Sequence, residues 1–175
     1  MSSFQSVINI SSAAGVQGDQ YDNSPVVSSP YTIVSSNEAL NLVGATFCTV
    51  DSGASTFAAG TCQAGGTGIN AGLLISPNNY VSYGVGNQPL APTMQVKNYS
   101  AIACATMGRF YAYLQAACSY GDWIAYKQLD GTIYCFAPNS TLPTGYAWAN
   151  AIAIIAISEA GLGAIQLSPG LGVPV

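Results

Sequence analysis

Histidine is absent from this chain, and charge nearly so: seven residues are Asp or Glu and three are Lys or Arg, 6% of 175. Ordinary soluble domains carry roughly a quarter. Without histidine there is no Ser-His-Asp or Cys-His pair, because no other side chain here accepts a proton near neutrality at its unperturbed pKa. Three cations, Lys97, Arg109 and Lys127, cannot neutralise a run of phosphates, which excludes nucleic acid as a partner. The same scarcity excludes an anionic membrane surface, whose attraction needs clustered Lys and Arg. The longest apolar run, Tyr146 to Ile157, is shorter than the roughly 20 residues that cross a bilayer. Met1 to Ile8 lack a basic region followed by an apolar one, so synthesis in the cytoplasm without a secretory signal is expected.

What is present is hydrophobic: 50% of residues, enough for the core of a single domain. A surface so poor in charge is built from Ser, Thr, Asn, Gln, Tyr and apolar atoms, and uncharged patches of that kind mark interaction sites. The five cysteines (Cys48, Cys62, Cys104, Cys118, Cys135) are odd in number and contain no Cys-x-x-Cys. In a reducing compartment they are expected to remain five free thiols, behaving as small buried hydrophobes. A zinc site would need Cys alone, drawn from widely spaced strands, and lacks the paired close ligands of structural zinc. No metal or cofactor is expected.

Residues 1–25 contain no periodic element; Phe4, Val7, Ile8 and Ile10 are followed by turn-rich composition from Ser11 to Pro25, which reads as an extended N-terminal arm. Residues 26–175 read as one domain of short β-branched and aromatic segments separated by Gly, Pro, Asn and Ser. Strands are expected near Tyr31–Val34, Leu42–Val50, Gly72–Ile75, Met94–Lys97, Ile102–Thr106, Arg109–Leu114, Trp123–Gln128, Thr132–Phe136, Ala151–Ile157 and Ala164–Leu167. Asp130-Gly131 joins two β-rich runs as a hairpin turn does. Ala151–Ile157, in partial alternation of small and large residues, also admits a helix. The fold class is therefore all-β, a jelly-roll-like β-sandwich or β-barrel.

Two motifs invite a chemical reading. Asp19 and Asp22 are too few for the six to eight oxygens of a calcium shell. Asp51-Ser52-Gly53 resembles the catalytic loop of aspartic proteases, where two such carboxylates share a proton. One copy would serve a retropepsin-like homodimer, with Thr106-Met107-Gly108-Arg109 as its hydrophobic-Gly segment. Asp-Ser-Gly is equally an ordinary turn, and Ser55 to Gly72 shows no flap hairpin.

Several stretches in order resemble the structural cement, or decoration, proteins of tailed phages. These are Phe4-Gln5-Ser6-Val7 with Gln17-Gly18-Asp19 and Asn23-Ser24-Pro25, then Ala45 to Asp51, then Gly121 to Tyr126 with Asp130-Gly131, and finally Ser158 to Leu167. A serine intervenes before Pro25, and the family's arginine-containing strand after the first loop is not matched. The resemblance implies a homo-oligomer, trimer before dimer, attached to the major capsid protein on the outer surface of the virion. Phe4, Val7, Ile8, Ile10, Gln17, Gly18 and Asp19 are then the expected capsid or subunit contacts, and no catalytic residue is expected. A receptor- or carbohydrate-binding β domain is the alternative, with Tyr80, Tyr83, Tyr99 and Tyr120 available to stack on sugars.

Overall fold

The computed structural model describes residues 15–50, 60–75 and 94–168. They form nine strands: β1 (Val27–Ile33), β2 (Phe47–Val50), β3 (Thr61–Ala64), β4 (Ile69–Ile75), β5 (Ala101–Leu114), β6 (Trp123–Lys127), β7 (Ile133–Phe136), β8 (Tyr146–Ala153) and β9 (Gly161–Leu167). The all-β expectation holds, in its barrel form. β1 pairs with β3, β3 with β2, β2 with β4, β4 with β5, and β5 returns to β1, so five strands close on themselves. Closure satisfies the backbone of every member and leaves that ring no open edge.

The remaining strands grow from the other half of β5. Gly108 to Leu114 pair with β9, which pairs with β8, then β6, then β7. β7 comes back to β5 through one parallel pairing, Leu114 with Ile133. At 14 residues, roughly 45 Å of extended chain, β5 belongs to both groups. Its burial alternation is interrupted between Ala105 and Gly108, where the register against β1 shifts, and the even-numbered residues pass from one core, with Ile102 and Cys104, to another, with Phe110, Ala112 and Leu114. Gly108 has φ +127, a conformation that suits residues without a Cβ.

Neighbouring residues of β2, β4 and β5 face different cores. Cys48, Leu74 and Cys104 point into the first ring with Ile33, Val43, Val96 and Ile102. Phe47, Leu73 and Ala105 point the other way, joining Phe110, Leu114, Ile124, Ile133 and Ile165. A wall buried on both faces reads in sequence as continuous apolar runs rather than alternation, as in 42–50 and 72–75. The β6–β7 hairpin forms as expected, with a loop of residues 128–132. Asp130 Oδ1 accepts from the Thr132 N–H at 3.1 Å, and Gly131 has φ +76. Its tip docks on the first ring, Phe47 N–H donating to Gly131 O at 2.9 Å.

Four strand expectations are corrected. Met94–Lys97 makes a single bridge, Gln95 with Leu42, instead of a strand. Ile102–Thr106 and Arg109–Leu114 are one strand. The run at 151–157 is the end of a strand that starts at Tyr146 and stops at Ala153. β3 was missed because its Gly/Ala/Thr surroundings look like loop; it exists because β1 and β2 both supply partners.

The thiol expectation is also corrected. Cys118 and Cys135 form a disulfide, leaving Cys48, Cys62 and Cys104 free. An odd count constrains only the total, whereas pairing is decided by distance. Cys118, just beyond β5, and Cys135 on β7 have Cα atoms 5.6 Å apart, within the range a disulfide spans.

Candidate functional site

Residues 17–22 lie along the half of β5 that β1 does not reach. The Gly18 N–H donates to Tyr111 O at 2.8 Å, the Tyr111 N–H to Asp19 O at 3.0 Å, and the Tyr21 N–H to Arg109 O at 2.8 Å. Gln20 bridges Phe110, and the Tyr21 ring meets Tyr111 edge-on at 5.2 Å. Asp22 Oδ2 is 2.8 Å from Arg109 Nη1, while Arg109 Nε donates to Gln166 on β9 at 3.0 Å. Hydrogen bonding from Ser24, whose N–H donates to Oδ1 at 2.9 Å, and then the guanidinium hold the Asp22 carboxyl down at about 2. Gly44, at φ +68, lets the backbone of Gln17 and Gly18 pack against it, where a Cβ would collide. Val16, Val26 and Val27 remain exposed beside this seam.

A second surface is aromatic. Strand alternation sends Ile124 and Tyr126 of β6 into the core and turns Trp123 and Ala125 to the opposite face, where Trp123 is half-buried and Ala125 fully buried. Tyr134 and Phe136 of β7, and Tyr146 and Trp148 of β8, share this outer face. The rings form a continuous chain: Trp123 to Trp148 at 5.5 Å, Trp148 to Phe136 at 6.0 Å, Phe136 to Tyr146 at 5.7 Å, and Tyr146 to Tyr134 at 5.2 Å. All four contacts are edge-to-face, the geometry that ring quadrupoles favour. Ala125, paired with Tyr134 on one side and Trp148 on the other, keeps the centre of the face low. All five rings are half-buried, so each keeps apolar area open to solvent. Trp, Tyr and Phe in an uncharged setting are the residues that carry binding energy at protein interfaces.

Inside the first ring, Cys48, Cys62 and Cys104 converge from β2, β3 and β5, their sulfurs all within 4.8 Å of one another. Cys48 is held above the usual thiol range by donating to Cys104 and Cys62 and by burial. Cys62 accepts from Cys104 and Cys48 and is drawn down, so it is the thiol that gives up its proton first.

Of the residues expected at a contact, Gln17 and Gly18 are buried against their own chain, and the Asp19 side chain is exposed. Phe4, Val7, Ile8 and Ile10 lie outside the described residues, as do the Asp51-Ser52-Gly53 motif, Tyr80 and Tyr83. Thr106 to Arg109 lies within β5, where its register against β1 shifts. Tyr99 and Tyr120 are exposed, one before β5 and the other beyond it. Sequence reading missed the aromatic face, although Tyr134-x-Phe136 and Tyr146-x-Trp148 carry the period-2 spacing that places residues on one side of a strand.

The sequence model of the family described as structural cement protein (E217 gp24/Pam3 gp6) matches residues 4–168. Among solved structures, a chain of the capsid of Myoviridae phage XM1 superposes with a TM-score of 0.58 at 16% identity, covering 97% of this chain and 99% of that one. No curated protein matches the chain.

Proposed function

The chain belongs to the phage structural cement family, and from that membership we propose that it decorates the outside of the expanded head and clamps the lattice of major capsid protein. The match across residues 4–168 carries this reading. A charge-poor surface and an outward aromatic face support it, because both favour association over solvation. The protein acts by binding, without catalytic residues. A symmetric homo-oligomer, a trimer before a dimer, bridges adjacent coat subunits. It contributes binding free energy only to the assembled shell, so mass action opposes opening, and repetition over the lattice adds avidity.

The aromatic face of β6, β7 and β8 is the docking patch, and Phe4, Val7, Ile8 and Ile10 reach a neighbouring subunit. Purified protein mixed with bare expanded capsids should bind saturably and at symmetric positions by electron cryomicroscopy. Trp148→Ala, and separately deletion of residues 2–14, should each weaken binding by about tenfold or more with the circular dichroism spectrum retained. The deletion stops short of the segment that pairs with β5. Full-strength binding by either variant removes its residues from the contact, and no binding by the intact protein overturns the cement reading. Exposed Tyr99 and Tyr120 favour the carbohydrate alternative, for which specific signal on a glycan array would be decisive.

A further inference from the structure

Cys48, Cys62 and Cys104 are 0%, 1% and 0% exposed, come from three strands of one closed ring, and lie far apart in sequence. Their packing partners are Ile33, Val43, Ala71, Leu74, Val96 and Ile102, with the thioether residue Met94 against the same core. No Asp or Glu joins the group among the described residues, so the side-chain metal donors brought together are all sulfur. Neither capsid binding nor the disulfide uses these thiols.

We propose that Cys48, Cys62 and Cys104 are the ligands of one soft monovalent cation, copper(I), held in three-coordinate sulfur geometry inside the first ring. Sulfur-only donors select copper(I) or zinc over hard cations. Coordination number decides between those two. Three sulfurs complete a trigonal copper(I) site, whereas zinc needs a fourth ligand for its tetrahedron, and no fourth Cys, Asp or Glu joins the three among the described residues. Thiolate is the ligating form of cysteine, so binding of the ion releases the thiol protons to solvent.

The test is a copper(I) titration of the full-length protein under anaerobic conditions. A copper(I) chelator serves as competitor, and the metal is offered both to the native protein and during refolding from urea, because the ring is closed. The expected result is one copper per chain, three sulfur neighbours by X-ray absorption, and a rise in melting temperature. Cys62→Ala should lower the apparent affinity by more than about tenfold. The double variant Cys118→Ser, Cys135→Ser should still bind one ion. Absence of binding under both loading conditions overturns the proposal, as does binding that survives in Cys62→Ala. Should Cys62→Ala fail to fold, the wild-type absorption spectrum decides: three sulfurs uphold the site and two or fewer overturn it. Zinc bound in preference to copper(I) at equal competition would also overturn it.

Discussion

Asp22 makes one of the few ionic contacts among the described residues. It meets one of only three cations, Arg109, on the strand that its own segment lies against. Its carboxyl is held below the ordinary aspartate value of 3.8, at about 2. A group whose pKa is lowered by folding contributes fully above its unfolded value and loses that contribution as pH falls toward the folded one. The Tyr21 amide should therefore be equally protected from hydrogen exchange at about pH 7 and pH 5, then lose protection between about pH 4 and pH 2. Asp22→Asn should be less protected at neutral pH and show no step. The cysteines mark the opposite case, residues whose roles were not legible from the chain. Count and compartment argued for five equivalent thiols, but three-dimensional proximity divides them into a disulfide pair and a buried trio.

Among elements, those with a local signal were readable. The β6–β7 hairpin was legible because Asp130-Gly131 has a turn chemistry of its own, and β9 because its apolar residues are bounded by turn composition. β3 and the junction of β5 were not, since each depends on partners distant in sequence. Thr61 and Cys62 are held by β1, some 30 residues earlier, and β5 stays continuous across Thr106 to Gly108 because β1 hands over to residues 18–21 there. The aromatic face was overlooked for a related reason: Tyr146 to Ile157 reads as one apolar run, although Tyr146 and Trp148 point outward while Ala149 and Ala151 point in. β4 contains the position where an element tolerates least. Gly72 sits at φ +118, paired with Cys48, and a Cβ there would strike the Ala105 carbonyl of β5. Gly72→Ala should destabilise the protein by about 1–3 kcal/mol in urea unfolding, the scale of a forced backbone outlier. A neutral result would mean that β4 and β5 separate without cost at this point.

At the scale of the whole molecule, the all-β class was legible from the series of short β-branched and aromatic segments, and the family from the order of its scattered motifs. The closed ring was not, because closure is a relation between β1 and β5, strands with some 70 residues between them. That relation also governs how the protein carries mechanical strain. Force applied to the first ring reaches the second group of strands through the core that Phe47 and Leu73 share with it, as well as along the covalent backbone of β5. Its antiparallel neighbours β1, β4 and β9 are then pulled in shear, so their hydrogen bonds break together rather than one after another. In the proposed role of a clamp, such a body would meet the outward push of a filled shell as a single stiff strut. It should also fail as one: pulled from both ends in an optical trap, it should rupture in one event, and in urea it should lose both cores in one transition whose slope reflects its full buried surface.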